Sequence, residues 1–109
     1  MRHLHAHQIP IAISTGSTTQ SMTLKRAGHE ELFDMFQFIV CCSSDPEVKN
    51  GKPHPDAFDV ARKRFEPVPE ASSCLAFEDS LNGVKVMGII VRNRANSSGT
   101  YKVKMKLVV

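Results

Sequence analysis

The chain has 109 residues, enough for one domain with a core of modest size. Hydrophobic residues at 41% and charged residues at 23% exclude a disordered or fibrous chain. The net charge of +3 is too mild for a basic nucleic-acid binder, and no run of about eighteen apolar residues offers a membrane span.

The first residues, Met1-Arg2-His3-Leu4-His5, lack the apolar core of a signal peptide. His3 and His7 would share a helix face, but no third ligand stands near, so a solvated helix end is the simpler reading than a metal site. Cys41, Cys42 and Cys74 make an odd count, and neighbouring cysteines pair poorly with each other. They read as reduced core thiols in a cytoplasmic protein. A nucleophilic thiolate of the phosphatase type would need an Arg six residues on, where the chain holds Glu47, Val48 and Ser80.

Ile9-Pro10-Ile11-Ala12-Ile13 is nearly continuously apolar, as befits a parallel strand buried on both faces, and it stops in Ser14-Thr15-Gly16-Ser17-Thr18. Gly16 allows a tight turn. Ser17 or Thr18 can cap a helix running to about Ala27, with Gly28 as its stop. The free N–H groups of such a helix start attract an anion, so Thr15, Gly16 and Ser17 are candidate phosphate contacts as well as capping residues.

Glu30 to Phe36 predicts a short amphipathic helix with Leu32, Phe33 and Phe36 on one side, leading into a second strand, Phe38 to Cys42. Asp45-Pro46 and Asn50-Gly51 mark a polar loop from Ser43 to His54, which sets Lys52 between a Gly and two prolines. Pro55 and Asp56 start a helix to about Phe65, with Phe58, Ala61 and Phe65 towards the core and Arg62, Lys63 and Arg64 mostly solvated. Pro67 and Pro69 end it.

Cys74-Leu75-Ala76-Phe77 is the third strand, and it runs into Glu78-Asp79-Ser80. Burying either acid inside the strand would cost several kcal/mol, so both belong just past its end. There they can seat a hard divalent cation, or serve only as turn acids before Asn82-Gly83. Strand, helix, strand, helix, strand is an α/β pattern, and right-handed crossovers bring the strand ends to one edge of a parallel sheet. Thr15, Lys52, Glu78 and Asp79 are then drawn together: a hydroxyl, an ammonium and a carboxylate pair, the groups phosphoryl transfer uses.

An apolar strand ending in Thr15, then Gly51-Lys52-Pro53-x-Pro55-Asp56-x-Phe58, then Phe77-Glu78-Asp79-Ser80 with Asn82-Gly83, resembles the haloacid dehalogenase-like phosphohydrolases. The likeness covers roughly residues 4 to 85 and is nearest to the branch of the β-phosphoglucomutases and pseudouridine-5'-phosphatase-like proteins. The resemblance implies a Rossmann-like three-layer α/β domain and a Mg²⁺-dependent phosphomonoester hydrolase acting on a small phosphorylated metabolite, such as a nucleoside monophosphate or sugar phosphate. It assigns phosphoryl contacts to Thr15 and Lys52, catalytic in that sense, and Mg²⁺ to Glu78 and Asp79.

The chain also departs from that family, whose members place an aspartate nucleophile in an Asp-x-Asp motif near the N-terminus, followed by a cap domain. The aspartates here are Asp34, Asp45, Asp56, Asp59 and Asp79, and no two stand two apart. Residues 1–91 are therefore expected to form a partial, capless core, truncated and inactive by itself, with the place of a missing strand left unpaired or filled by a partner. A non-catalytic remnant that binds phosphate or a partner is the alternative. A receiver domain would place its acids before the hydroxyl and the Lys, the reverse of the order here. Ser80 to Gly88 is short for a crossover to Ile89-Ile90-Val91. Residues 92–109 show no likeness to the family. Within them Tyr101 to Leu107 alternates with period two and predicts an edge strand with a lysine face, or a disordered basic end.

Overall fold

A computed structural model describes residues 1–78, Leu81 and the backbone of Lys106–Val108. Helix α1 (Arg2–Ala6) is a single turn in which the His3 and His7 rings stack with centroids 4.1 Å apart, and His7 Nδ1 lies 2.8 Å from the His3 carbonyl. Among the described residues no group of three or more His, Cys, Asp or Glu is placed to hold a metal ion.

Strand β1 (Ile11–Thr15) follows, with Ile11 and Ala12 buried as a strand covered on both faces requires. Thr18 caps helix α2 (Thr19–Arg26), its hydroxyl accepting the Ser21 N–H at 3.2 Å, and Gly28 ends the turn at φ 78, where a side chain would be strained. Helix α3 (Glu30–Phe33) is shorter than the predicted 30–36. Its apolar side stays half-buried or exposed, with Leu32 in solvent, so no packing sustains further turns.

Strand β2 (Ile39–Cys41) lies within the predicted range, as does helix α4 (Asp56–Lys63), which Pro55 precedes. Helix α4 ends at Lys63, four residues before Pro67, whose ring would clash with the Lys63 carbonyl in a continuing helix. A 3₁₀ turn at Ala71–Ser73 leads into β3 (Cys74–Ala76).

Strands β1 and β2 pair in parallel, Ile13 opposite Ile39 and Thr15 opposite Cys41. Phe58, Ala61 and Phe65 of the α4 segment pack on Ala12 and Val40, and the Phe38 and Phe65 rings meet at 4.9 Å. Ile39 and Cys41 flank Val40 and so point to the opposite face, where the buried Met22 of α2 lies beside them. Helices thus cover both faces of a parallel sheet, the three-layer α/β arrangement expected from the strand–helix alternation.

Two expectations need correction. The C-terminal strand β4 (Lys106–Val108) is not at an edge: the strand order is β2-β1-β4-β3, all parallel, with Ile11 opposite Leu107 and Leu75 opposite Leu107 on the other side. An alternating, lysine-bearing run suggests an edge because its pattern is read without knowing that two strands stand apart with a place between them. That place is filled from within the chain. Residues 79–80, 82–105 and 109, with the predicted run at Ile89-Ile90-Val91, lie outside the described residues.

The second correction concerns α4's basic residues, which are engaged rather than merely solvated. Arg62 donates to Asp59 at 2.8 Å and to the Pro69 carbonyl at 3.0 Å. Arg64 donates to Asp45 at 2.7 and 2.8 Å and to Glu47 at 2.6 Å, and so ties the end of α4 to the loop that carries Lys52. The cysteine reading holds for Cys41, which is buried. Cys42 and Cys74 are partly exposed, and none of the three forms a disulfide.

Phe65 is 1% exposed, and truncating it to Ala should cost about 3–5 kcal/mol, measured by urea unfolding. The Arg64 guanidinium beside Asp45 holds its carboxyl below the usual range. The pair therefore stabilises the fold fully above the ordinary carboxylate pKa, and its contribution is lost as pH falls through the depressed value. Asp45→Asn should cost about 1 kcal/mol at pH 7 and nothing under acid conditions where Asp45 is already protonated, as read from paired unfolding curves.

Candidate functional site

At the carboxyl ends of β1 and β3 the sheet opens into a cleft of about 1270 Å³. Its wall includes Ser14, Thr15, Gly16 and Ser17 from the β1 end, Cys42 and Ser43 from the β2 end, Val48, Lys49, Gly51 and Lys52 from the long loop, and Phe77, Glu78 and Leu81 after β3. Parallel pairing of Thr15 with Cys41 makes both strands stop at one level, so the polar residues after each fall into the same space.

Lys52 stands at the centre. Its Nζ pairs with Glu78 Oε2, donates to the Ser14 carbonyl at 3.3 Å and lies 4.8 Å from the centroid of the Phe58 ring. The Lys52 side chain is 14% exposed and that of Glu78 9%, so this pair sits where water screens it weakly. The loop that presents Lys52 is anchored at several points. Asp56 accepts two hydrogen bonds from Asn50, both at 2.9 Å, and Arg64 holds Asp45 and Glu47. Those Asn50 hydrogen bonds, and His54 beside it, hold the Asp56 carboxyl below its ordinary pKa.

The β1 end is equally constrained. Thr15 Oγ1 accepts the Ser17 N–H at 3.2 Å, and the Thr15 carbonyl accepts the Cys42 N–H at 2.8 Å. Ser43 donates to the Gly16 carbonyl at 2.7 Å, and Lys25 of α2 donates to Ser17 Oγ at 2.8 Å. Ser14 faces the other way, its hydroxyl buried and donating to the Ala57 carbonyl at 3.3 Å.

Thr15, Gly16, Ser17, Lys52 and Glu78 are therefore brought to one cleft, and Asp79 lies outside the described residues. Sequence reading missed Ser43, Lys49 and Lys25. Ser43 carried a usable signal, since it directly follows the β2 run just as Thr15 ends β1. Lys25 and Lys49 carried none, because solvated lysines on helices and loops look the same. The oxygen donors suit a hard cation: Mg²⁺ is commonly held by only one or two carboxylates, with phosphate oxygens and water completing its shell, and Glu78 supplies such a carboxylate.

The description of one protein family, "haloacid dehalogenase-like hydrolase", matches residues 1–88. The chain is 50% identical over 91% of its length to a probable pseudouridine-5'-phosphatase of Drosophila melanogaster, covering 39% of that protein. It is 46% identical over 78% of its length to (DL)-glycerol-3-phosphatase 1, mitochondrial, of Arabidopsis thaliana, covering 28% of it, and 45% identical over 77% of its length to (DL)-glycerol-3-phosphatase 2 of the same plant, covering 35%. The chain thus spans about two fifths or less of these relatives. By this match, and by a parallel sheet whose strand ends gather the Thr, Lys and Glu of the motifs, the chain belongs to the haloacid dehalogenase-like hydrolase family.

Proposed function

We propose that the cleft is the phosphate and Mg²⁺ seat of a phosphoric monoester hydrolase, and that its ligand is a small phosphorylated metabolite such as a nucleoside monophosphate or a sugar phosphate. The observation that carries this reading is the Lys52 ammonium meeting the Glu78 carboxylate in a weakly screened position beside the Thr15 end of β1. Hydrolases of the family generally use Mg²⁺, and the relatives' names specify phosphatases for pseudouridine 5'-phosphate and glycerol 3-phosphate. Reduced thiols make the cytoplasm the compartment that suits the chain, and no described helix is long and apolar enough to cross a membrane.

In this reading Lys52 neutralises a phosphoryl oxygen, and the Thr15 hydroxyl, with Gly16 and Ser17, cradles the remaining oxygens near the start of α2. Glu78 and Asp79 hold the metal, which when bound offsets charge on the phosphoryl group. Residues 1–91 in this reading form the core that binds, and Lys106–Val108 of the remaining segment complete its sheet between β1 and β3. Because no Asp-x-Asp motif occurs in these 109 residues, the second reading is a phosphate-binding remnant without turnover.

A magnesium titration followed by thermal melting tests the seat. The melting temperature should climb with Mg²⁺ by several degrees, the size set by roughly 2.7 kcal/mol at a hundredfold excess over Kd. Glu78→Gln combined with Asp79→Asn should flatten that response, and an unresponsive unsubstituted chain would sink the metal assignment. Inorganic phosphate, titrated calorimetrically in the same samples, should bind at least 10-fold more weakly to Lys52→Ala. Release of phosphate from p-nitrophenyl phosphate by the unsubstituted chain, lost in Lys52→Ala, would instead refute the remnant reading.

A further inference from the structure

The turn ahead of β1 carries two metal-ligating side chains that the cleft does not use. His3 in α1 and His7 at its C-terminal cap stand four residues apart, on one side of the turn, and both are exposed. The spacing alone leaves them as two histidines without a third ligand, and the structure adds how their rings stand. The centroids are 4.1 Å apart, with the planes inclined by 39°. A carbonyl can only accept, so His7 Nδ1, 2.8 Å from the His3 carbonyl, carries the ring proton and Nε2 keeps its lone pair. One ring N–H donated to a backbone carbonyl is the arrangement that orients a histidine whose other nitrogen ligates a metal. The backbone of the turn is fixed too. His7 N–H donates to the His3 carbonyl at 3.1 Å, and Ile9 N–H to the Leu4 carbonyl at 3.0 Å, which ties α1 to the residues entering β1.

We propose that His3 and His7 form a two-nitrogen chelate for a divalent transition metal of tetragonal geometry, Cu²⁺ or Ni²⁺, at the opposite end of β1 from the cleft. The ring separation decides the geometry. With metal–nitrogen bonds of about 2.0 Å each centroid lies roughly 3.2 Å from the ion, so a right-angled pair sets the centroids about 4.5 Å apart and a tetrahedral pair about 5.2 Å. The observed 4.1 Å is close to the first and too short for the second. Imidazole nitrogens suit both ions, and Cu²⁺ binds most tightly of the divalent series. Among the described residues no third His, Cys, Asp or Glu joins the pair, so water fills the remaining positions and the ion stays exchangeable. Arg2, the neighbouring cation, lies 3.6 Å from the Glu31 carboxylate of α3, which offsets its charge. A bound ion bridges the turn and stabilises the folded chain by linkage. Oxygen donors at the cleft select a harder class of ion, so the pair stands or falls apart from the proposed function.

The test titrates Ni²⁺ into the full chain by isothermal calorimetry, without Mg²⁺. Ni²⁺ takes the place of Cu²⁺ as probe because Cys42 and Cys74 are partly exposed and copper oxidises thiols. His3→Gln and His7→Gln should each weaken binding about 10-fold or more. His5→Gln lies two residues out of phase on the same turn and should leave the affinity unchanged. Nuclear magnetic resonance of the imidazole nitrogens needs no variant to fold: His7 should appear as its Nδ1–H tautomer, and substoichiometric Ni²⁺ should broaden the His3 and His7 rings before those of His5, His29 and His54. Zn²⁺, which favours the tetrahedral angle, should bind more weakly than Ni²⁺. Equal loss in His5→Gln, binding retained in His3→Gln or His7→Gln, broadening led by another ring, or tighter binding of Zn²⁺ would each overturn the assignment.

Discussion

The contact on which the arrangement turns is the ion pair between Lys52 and Glu78. It is the point where a loop from one end of the sheet and a strand from the other are obliged to meet. Both side chains are largely removed from water, so each has lost solvation that only the other charge, the Ser14 carbonyl and the Phe58 ring help to restore. Such a pair adds little net stability compared with apolar packing, but it penalises any arrangement that separates its members. It thereby specifies how β3 and the 43–54 loop sit relative to β1.

That specification works only because the surroundings hold each partner independently. The loop is fixed at Asp45 and Glu47 by Arg64, and at Asn50 by Asp56, so Lys52 projects from a frame tied to both ends of α4. Helix α4 is in turn held by Phe58, Ala61 and Phe65 on Ala12 and Val40. Core packing, a half-buried Arg–Asp pair and a loop hydrogen bond thus form one chain of support ending at an ammonium group. The opposite partner depends on fewer contacts, since β3 is three residues long and reaches β1 through β4.

Most of this was legible before the structure, and the reasons are physical. The β1 and α4 patterns are strong because a doubly covered strand and an amphipathic helix must each repeat apolar residues at their own period, and Ile11, Ala12, Phe58, Ala61 and Phe65 do so. The gathering of Thr15, Lys52 and Glu78 at one cleft was legible because buried charge is costly, which favours strand ends and loops for such groups. What escaped the sequence was partnership at a distance. Arg64 looked like a solvated helix residue because nothing local to it announces Asp45, and Lys25 gave no sign of reaching Ser17. The position of β4 escaped for the same reason: period-two alternation reports that a segment can be a strand, while its place in the order is decided by which strands lack a neighbour.

The same asymmetry bears on what the cleft can do. Lys52 and Glu78 now offset each other's charge, so the folded chain needs no ligand to keep them tolerably solvated. A phosphate and a divalent cation entering together would offer each of them a new partner of the right sign, an anion for the ammonium and a cation for the carboxylate. The charge of the site would rise no further than the ligands' own. Either ligand alone would satisfy one residue and deprive the other of its counter-charge, in a place where water restores little. If the cleft binds both ligands as proposed, coupling between them would follow from the ion pair itself, because each ligand would restore the counter-charge that the other removes.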